Sequence, residues 1–143
     1  MKKVNKVILY VFLILTAASC SMDDNSNLYT AQELVSIDSV NLPDTLNFRE
    51  IHDFEITYKR PTDCHFFDGF SNEKNENERI IWVVNRVYYD NNTNCQELEN
   101  ELITKKLSFE VIRRDYYIFK FWQGVDEEGE NIYLTKEVPV KVE

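Results

Sequence analysis

The sequence predicts an all-β protein, a single Greek-key β-sandwich of about seven strands with at most one short helix. Three observations carry this. Apolar residues recur at every second position in run after run, as in Phe54, Ile56 and Tyr58 against Glu55, Thr57 and Lys59. That is the period of a strand with one buried face. The runs are separated by turn clusters such as Arg60-Pro61-Thr62-Asp63 and Gly124–Asn131, where Pro61 has no N–H to donate and Gly tolerates φ > 0. Helical periodicity is nearly absent. Gln96–Leu102, with Leu98 and Leu102 four apart, is long enough for one or two helical turns and reads almost equally well as a loop.

Taken in order, the chain opens on a targeting signal. Met1–Lys6 is basic, Val7–Leu15 is an apolar run broken only by the phenol of Tyr10, and Thr16–Ser19 are small. This is the layout of a cleaved signal peptide, and the apolar run is too short to span a bilayer. Ala17-Ala18-Ser19-Cys20 resembles a bacterial lipobox, with Ala17 where lipoboxes usually carry Leu. The resemblance implies that Cys20 is acylated with palmitate-type chains and becomes the first residue of the mature protein. Ser21-Met22-Asp23-Asp24-Asn25 resembles the Ser-plus-acidic signal that carries Bacteroidota lipoproteins to the outer face of the outer membrane. The expected organisation is a signal peptide over 1–19, a lipidated acidic tether over 20–32 and a sandwich over 33–143.

Removing the signal leaves 124 residues, the size of one domain with a tether. It also removes three lysines and no acids, so the net charge falls from −9 to −12. An acidic domain is repelled by nucleic acid, which excludes it as a partner. Most charges alternate with apolar residues, the pattern of a solvated sheet face.

Leu34–Leu42 is the first edge strand, with Val40 and Leu42 pointing inward, and Pro43-Asp44-Thr45 ends it in a turn or sheet switch. Asp53–Lys59 and Cys64–Phe70 follow. Ser71–Glu78 is wholly polar and reads as the least ordered loop. Arg79–Asp90 contains Ile80-Ile81-Trp82-Val83-Val84, an apolar run suited to a central strand covered on both faces. Leu107–Val111 and Tyr116–Gln123 are strands, the second with Tyr117, Phe119 and Phe121 on its core face. Val138, Val140 and Val142 line the last strand, which Pro139 demotes to an edge.

With Cys20 carrying lipid, Cys64 and Cys95 remain, and in an exported chain two strand-flanked cysteines pair. Closing that loop stabilises the fold by roughly 3–4 kcal/mol in the chain-entropy account. Cys64-His65 offers too few ligands for a metal centre, and His52 is remote in sequence. Asp126–Asn131 is rich in oxygen ligands but departs from EF-hand spacing, and acidic hairpin tips are common. There is no Gly-x-Ser-x-Gly elbow and no Gly-rich phosphate loop, so no enzymatic activity, metal or cofactor is expected.

The aromatic residues give the functional expectation. Opposite the core face of Tyr116–Gln123 lie Tyr116, Ile118, Lys120 and Trp122. Either this is a ligand platform of Tyr116, Ile118 and Trp122, or a loop covers it as in a central strand.

Leu42-Pro43-Asp44-Thr45, Phe54-Glu55-Ile56-Thr57-Tyr58, Cys64–Phe70 and the tail Tyr117–Gly124 ending at Val138-Pro139-Val140 resemble small Bacteroidota outer-membrane lipoproteins. The resemblance implies an immunoglobulin-like sandwich and brings no activity with it. Asp38-Ser39-Val40 and Asp44-Thr45-Leu46 resemble the Asp-Ser/Thr-apolar sites of Bacteroidota O-glycosylation. The expected protein is a binding or accessory module, anchored to the outer membrane by its lipid and exposed at the cell surface. A glycan, a peptide or an envelope protein is its partner class. The competing expectation is a structural or inhibitory subunit of a larger envelope complex.

Overall fold

A computed structural model describes residues 28–90 and 94–142. The signal peptide, Cys20 and the tether up to residue 27 lie outside the described residues, as do Asn91, Asn92 and Thr93. The described chain is all-β, with nine strands in two sheets and no helix.

The strands are β1 (Leu28–Val35), β2 (Ile37–Asn41), β3 (Leu46–Asn47), β4 (Ile51–Lys59), β5 (His65–Asn75), β6 (Glu78–Asp90), β7 (Leu102–Glu110), β8 (Tyr116–Val125) and β9 (Asn131–Lys141). Sheet A runs β1-β6-β8-β9-β3, with β5 on the other side of β6. Sheet B is β2-β4-β7. The thirteen-residue β6 organises sheet A. Along one side it pairs with β5, and along the other with β8 in parallel over Glu78–Ile81 and then with β1 over Val83–Asp90.

Strand count and boundaries correct the expectation of about seven. The first strand is two, since the chain crosses between sheets at Ser36, and it crosses back at Pro43–Thr45, the sheet switch expected there. Val35 and Ile37 both stay buried across that crossing, because period-two neighbours point to the same core. Residues 28–32, expected in the tether, pair with β6. Ser71–Asn75, expected in a loop, continues β5 against Glu78–Trp82 through a turn at Glu76-Asn77, with Glu76 at φ 49°. Its side chains are all exposed, so composition gave no strand signal although the backbone ladder is complete. Gln96–Leu102 is not helical. It runs beside the β4–β5 corner, where Leu98 N–H donates to Pro61 O and Gln96 N–H to Asp63 Oδ1.

The core forms between the sheets. Phe54 of sheet B packs edge-on against Phe119 of sheet A at 5.1 Å between centroids, and Phe109 does the same with Tyr117 and Phe119 at 4.9 and 5.0 Å. Such pairs contribute about 0.5–1.5 kcal/mol beyond their buried area. Tyr117, Phe119 and Phe121 are fully buried, as their period of two predicts, and Val40 and Leu42 pack against this cluster. Gly129, at φ 86°, turns the β8–β9 hairpin, a conformation a Cβ would strain.

Phe119→Ala is therefore expected to lower unfolding free energy by about 3–5 kcal/mol. Trp122→Ala, on the other face, is expected to cost clearly less. Urea unfolding of both variants checks this, and the reverse order would mean the faces are exchanged.

Candidate functional site

The alternation that buries Tyr117, Phe119 and Phe121 sends Tyr116, Ile118, Lys120 and Trp122 to the outer face of sheet A. Tyr116 is exposed, and Ile118 and Trp122 are half-buried. No loop seals them among the described residues. The Trp122 indole N–H donates to Asn131 Oδ1 at 2.8 Å, which fixes the ring beside the β8–β9 hairpin.

Two neighbouring strands widen this face. Ile80 and Trp82 alternate with buried Arg79, Ile81 and Val83, so they lie outward on β6, and Ile80 sits beside Lys120 in register. Tyr133 of β9 sits opposite Trp122. All three are half-buried. The Lys120 ammonium pairs with Glu78 at 2.5 Å across the strip, so its charge is locally neutralised. Ile80, Trp82 and Tyr133 were absent from the platform read in the sequence. The doubly apolar β6 signals two of them, but such a run reads in sequence as a strand covered on both faces. Its inner face is covered, and its outer face is half-exposed surface.

The second assembly is the β4–β5 corner. Cys64 and Cys95 form a disulfide, with Cα atoms 5.5 Å apart, which ties the corner to the segment after β6. Asp63, Cys64 and Cys95 are the one metal-ligand-like group among the described residues, and its two sulfurs are bonded to each other. Beside it the Thr62 hydroxyl meets His65 Nδ1 at 2.7 Å, and His65 Nε2 lies 3.3 Å from Glu33 Oε2. The Tyr89 hydroxyl donates to Glu33 Oε1, and the Tyr29 and Tyr89 rings stack. This chain of groups pins β1 to β6 and to the corner. The Thr62 hydroxyl is thus set against His65 and His65 against Glu33, while the Thr62 oxygen also accepts from the Cys64 amide at 3.2 Å.

Asn85 is fully buried next to this network, and neither its Oδ1 nor its Nδ2 reaches a partner at hydrogen-bond distance among the described residues, the Tyr58 phenol making only a looser contact with it. The nearby Tyr58 phenol is pushed up chiefly by burial, with the Asn85 side chain acting weakly against it. At the other candidate, the Asp126 carboxylate accepts from the Glu128 and Glu130 amides. It is engaged in shaping the hairpin turn. Ser39 and Thr45 are both exposed.

No family model, characterised protein or solved structure matches the chain.

Several carboxylates are held below their ordinary range. The Tyr89 hydrogen bond lowers Glu33, Gln32 lowers Asp68, and the Arg113 fork at 2.8 and 2.6 Å holds Asp115 down to about 2. An acid depressed in the folded state contributes stability that is present above its unfolded pKa and lost as pH falls through the folded value. Stability should stay level down to about pH 4 and then fall toward about pH 2. Urea midpoints across that range check this. Asp115→Asn should flatten part of the fall, and an unchanged profile would remove Asp115 from the account.

Proposed function

We propose that this chain is a non-enzymatic, lipid-anchored protein of the bacterial outer membrane, exposed at the cell surface and binding a neutral glycan through the outer face of sheet A. The observation that carries the reading is the half-exposed strip of Ile80, Trp82, Ile118, Trp122 and Tyr133 on one sheet face. Flat, amphipathic rings held on strands form a rigid surface that loses little entropy on binding. The acidity of the domain argues against an anionic partner. Cys20 supplies the anchor and the acidic segment after it the route to the surface.

An immunoglobulin-like sandwich is the scaffold this reading uses. The Tyr117 hydroxyl, at the start of β8, accepts from the Ile112 and Arg113 amides at 3.0 Å each. That contact resembles the tyrosine corner of such domains, in which a strand-start tyrosine bonds the backbone a few residues upstream. The partner-subunit reading uses the same strip as a protein interface and differs only in its occupant.

Detergent-solubilised mature protein should bind neutral glycans on an array. Trp82→Ala and Trp122→Ala should each weaken binding by about tenfold, or about 1.4 kcal/mol, with little change in urea midpoint. Cys20→Ala should move the chain from the membrane to the soluble fraction. Glycan binding unaffected by either tryptophan would overturn the assigned face. Co-purification of one envelope protein, lost with the same substitutions, would replace the glycan reading with the subunit reading.

A further inference from the structure

We infer that the chain carries a second, separate binding site, a cleft built on Arg79 that takes a small carboxylate attached to an apolar body. Arg79 is only 6% exposed, and it faces inward on β6, away from the tryptophan strip. Its Nη1 donates to the carbonyls of Glu76 and Glu78 at 2.9 and 2.7 Å, and its guanidinium lies 5.1 Å from the centre of the Tyr117 ring. No carboxylate pairs with it among the described residues. Glu78, its chain neighbour, is committed to Lys120 on the opposite face. A buried cation without an acid is costly, because two carbonyl dipoles and a ring face compensate a full charge only in part.

The cost has a location. Arg79 lines a cleft of about 220 Å³ that opens to solvent between β5 and β7, the outer strands of the two sheets. Asn72 and Lys74 of β5 share its wall, and Phe70, Ile81, Leu107 and Phe109 supply its apolar lining. Ser108 also lines it, but its hydroxyl already donates to Asp53. Among the described residues only Nη1 of Arg79 donates a hydrogen bond, which leaves other donors of the planar fork for an incoming oxygen pair. A carboxylate matches that fork and supplies the missing charge, and the apolar wall takes the rest of the molecule.

Size limits the ligand. The cleft is smaller than the roughly 300–1,000 Å³ of drug-sized pockets, so it admits about one ring or short alkyl chain beside the carboxylate. Arg49 and Arg114, which flank Phe48 beside Val111, have no acid partner among the described residues either, but both are exposed and water solvates them. The burial of Arg79 sets its site apart. Glu110 stands in the cleft wall as an exposed acid and opposes anion entry, which makes it a useful control.

The test is a titration of the disulfide-bonded mature protein with phenylacetate and with its neutral analogue phenylacetamide, followed by amide ¹⁵N–¹H correlation spectra. Phenylacetate should shift the amides of Asn72, Lys74, Arg79, Ser108 and Phe109, and phenylacetamide should bind about tenfold more weakly or worse, as expected for a hydrogen bond to a charged group. Arg79→Gln should abolish the difference between the two. Because replacing a buried arginine can itself cost the fold, Lys74→Glu and Glu110→Gln at exposed positions test the same sign. The first should weaken phenylacetate binding several-fold and the second should strengthen it. Equal affinity for acid and amide, shifts centred outside the cleft, or no shifts with phenylacetate would each overturn the site.

Discussion

Everything in this fold depends on the aromatic contact between the two sheets. Phe54 and Phe109 from one sheet meet Tyr117 and Phe119 from the other within about 5 Å, and interiors packed at crystal-like density do not tolerate a shift. A slip of one residue in β8 would exchange all of its side chains between faces. The aromatic cluster therefore fixes more than the core. It also decides which residues remain for the surface, and those include both tryptophans of the chain.

β6 extends the same logic in two directions. Its inward residues are Arg79, Ile81, Val83, Asn85 and Val87, so a strand central to the sheet carries one cation and one amide into an otherwise apolar interior. The middle of that series is ordinary core. Of its two polar members, Arg79 lines the cleft between β5 and β7 and Asn85 sits opposite Glu33 of the corner network. Buried polar groups usually find partners, and Arg79 has two carbonyls and a ring face but no acid among the described residues. Among the described residues Asn85 meets only the Tyr58 phenol, whereas Arg79 opens on a cleft. Asn85 stays sealed in the packed interior, and the Arg79 charge lies at the end of the strand, where a ligand can reach it.

Much of this was legible in the residues themselves. Tyr117, Phe119 and Phe121 declared their burial by period alone, Cys64 and Cys95 by their context, and Gly129 by the turn around it. What escaped had physical reasons. Ser71–Asn75 buries nothing, so its strand character resides in backbone pairing with β6, which leaves no hydropathy trace. The two-residue β3 is held by parallel pairing to β9 at the far end of the sequence, a partner no local pattern reveals. Ile80, Trp82 and Tyr133 join Ile118 and Trp122 only through sheet order. Arg79 looked like the polar start of a strand, and its burial follows from the register that puts it beside Phe119.

The central claim is that one face of β6 and β8 closes the core while the other stays open to solvent. The chain has only two tryptophans, Trp82 and Trp122, and both belong to the open face, so their fluorescence reports on it directly. In the native protein the account predicts emission to the red of a buried indole, with acrylamide quenching both residues before any unfolding. Blue-shifted native emission that acrylamide quenches only after denaturation would contradict it, because the strip would then be sealed and the faces would have no division of roles.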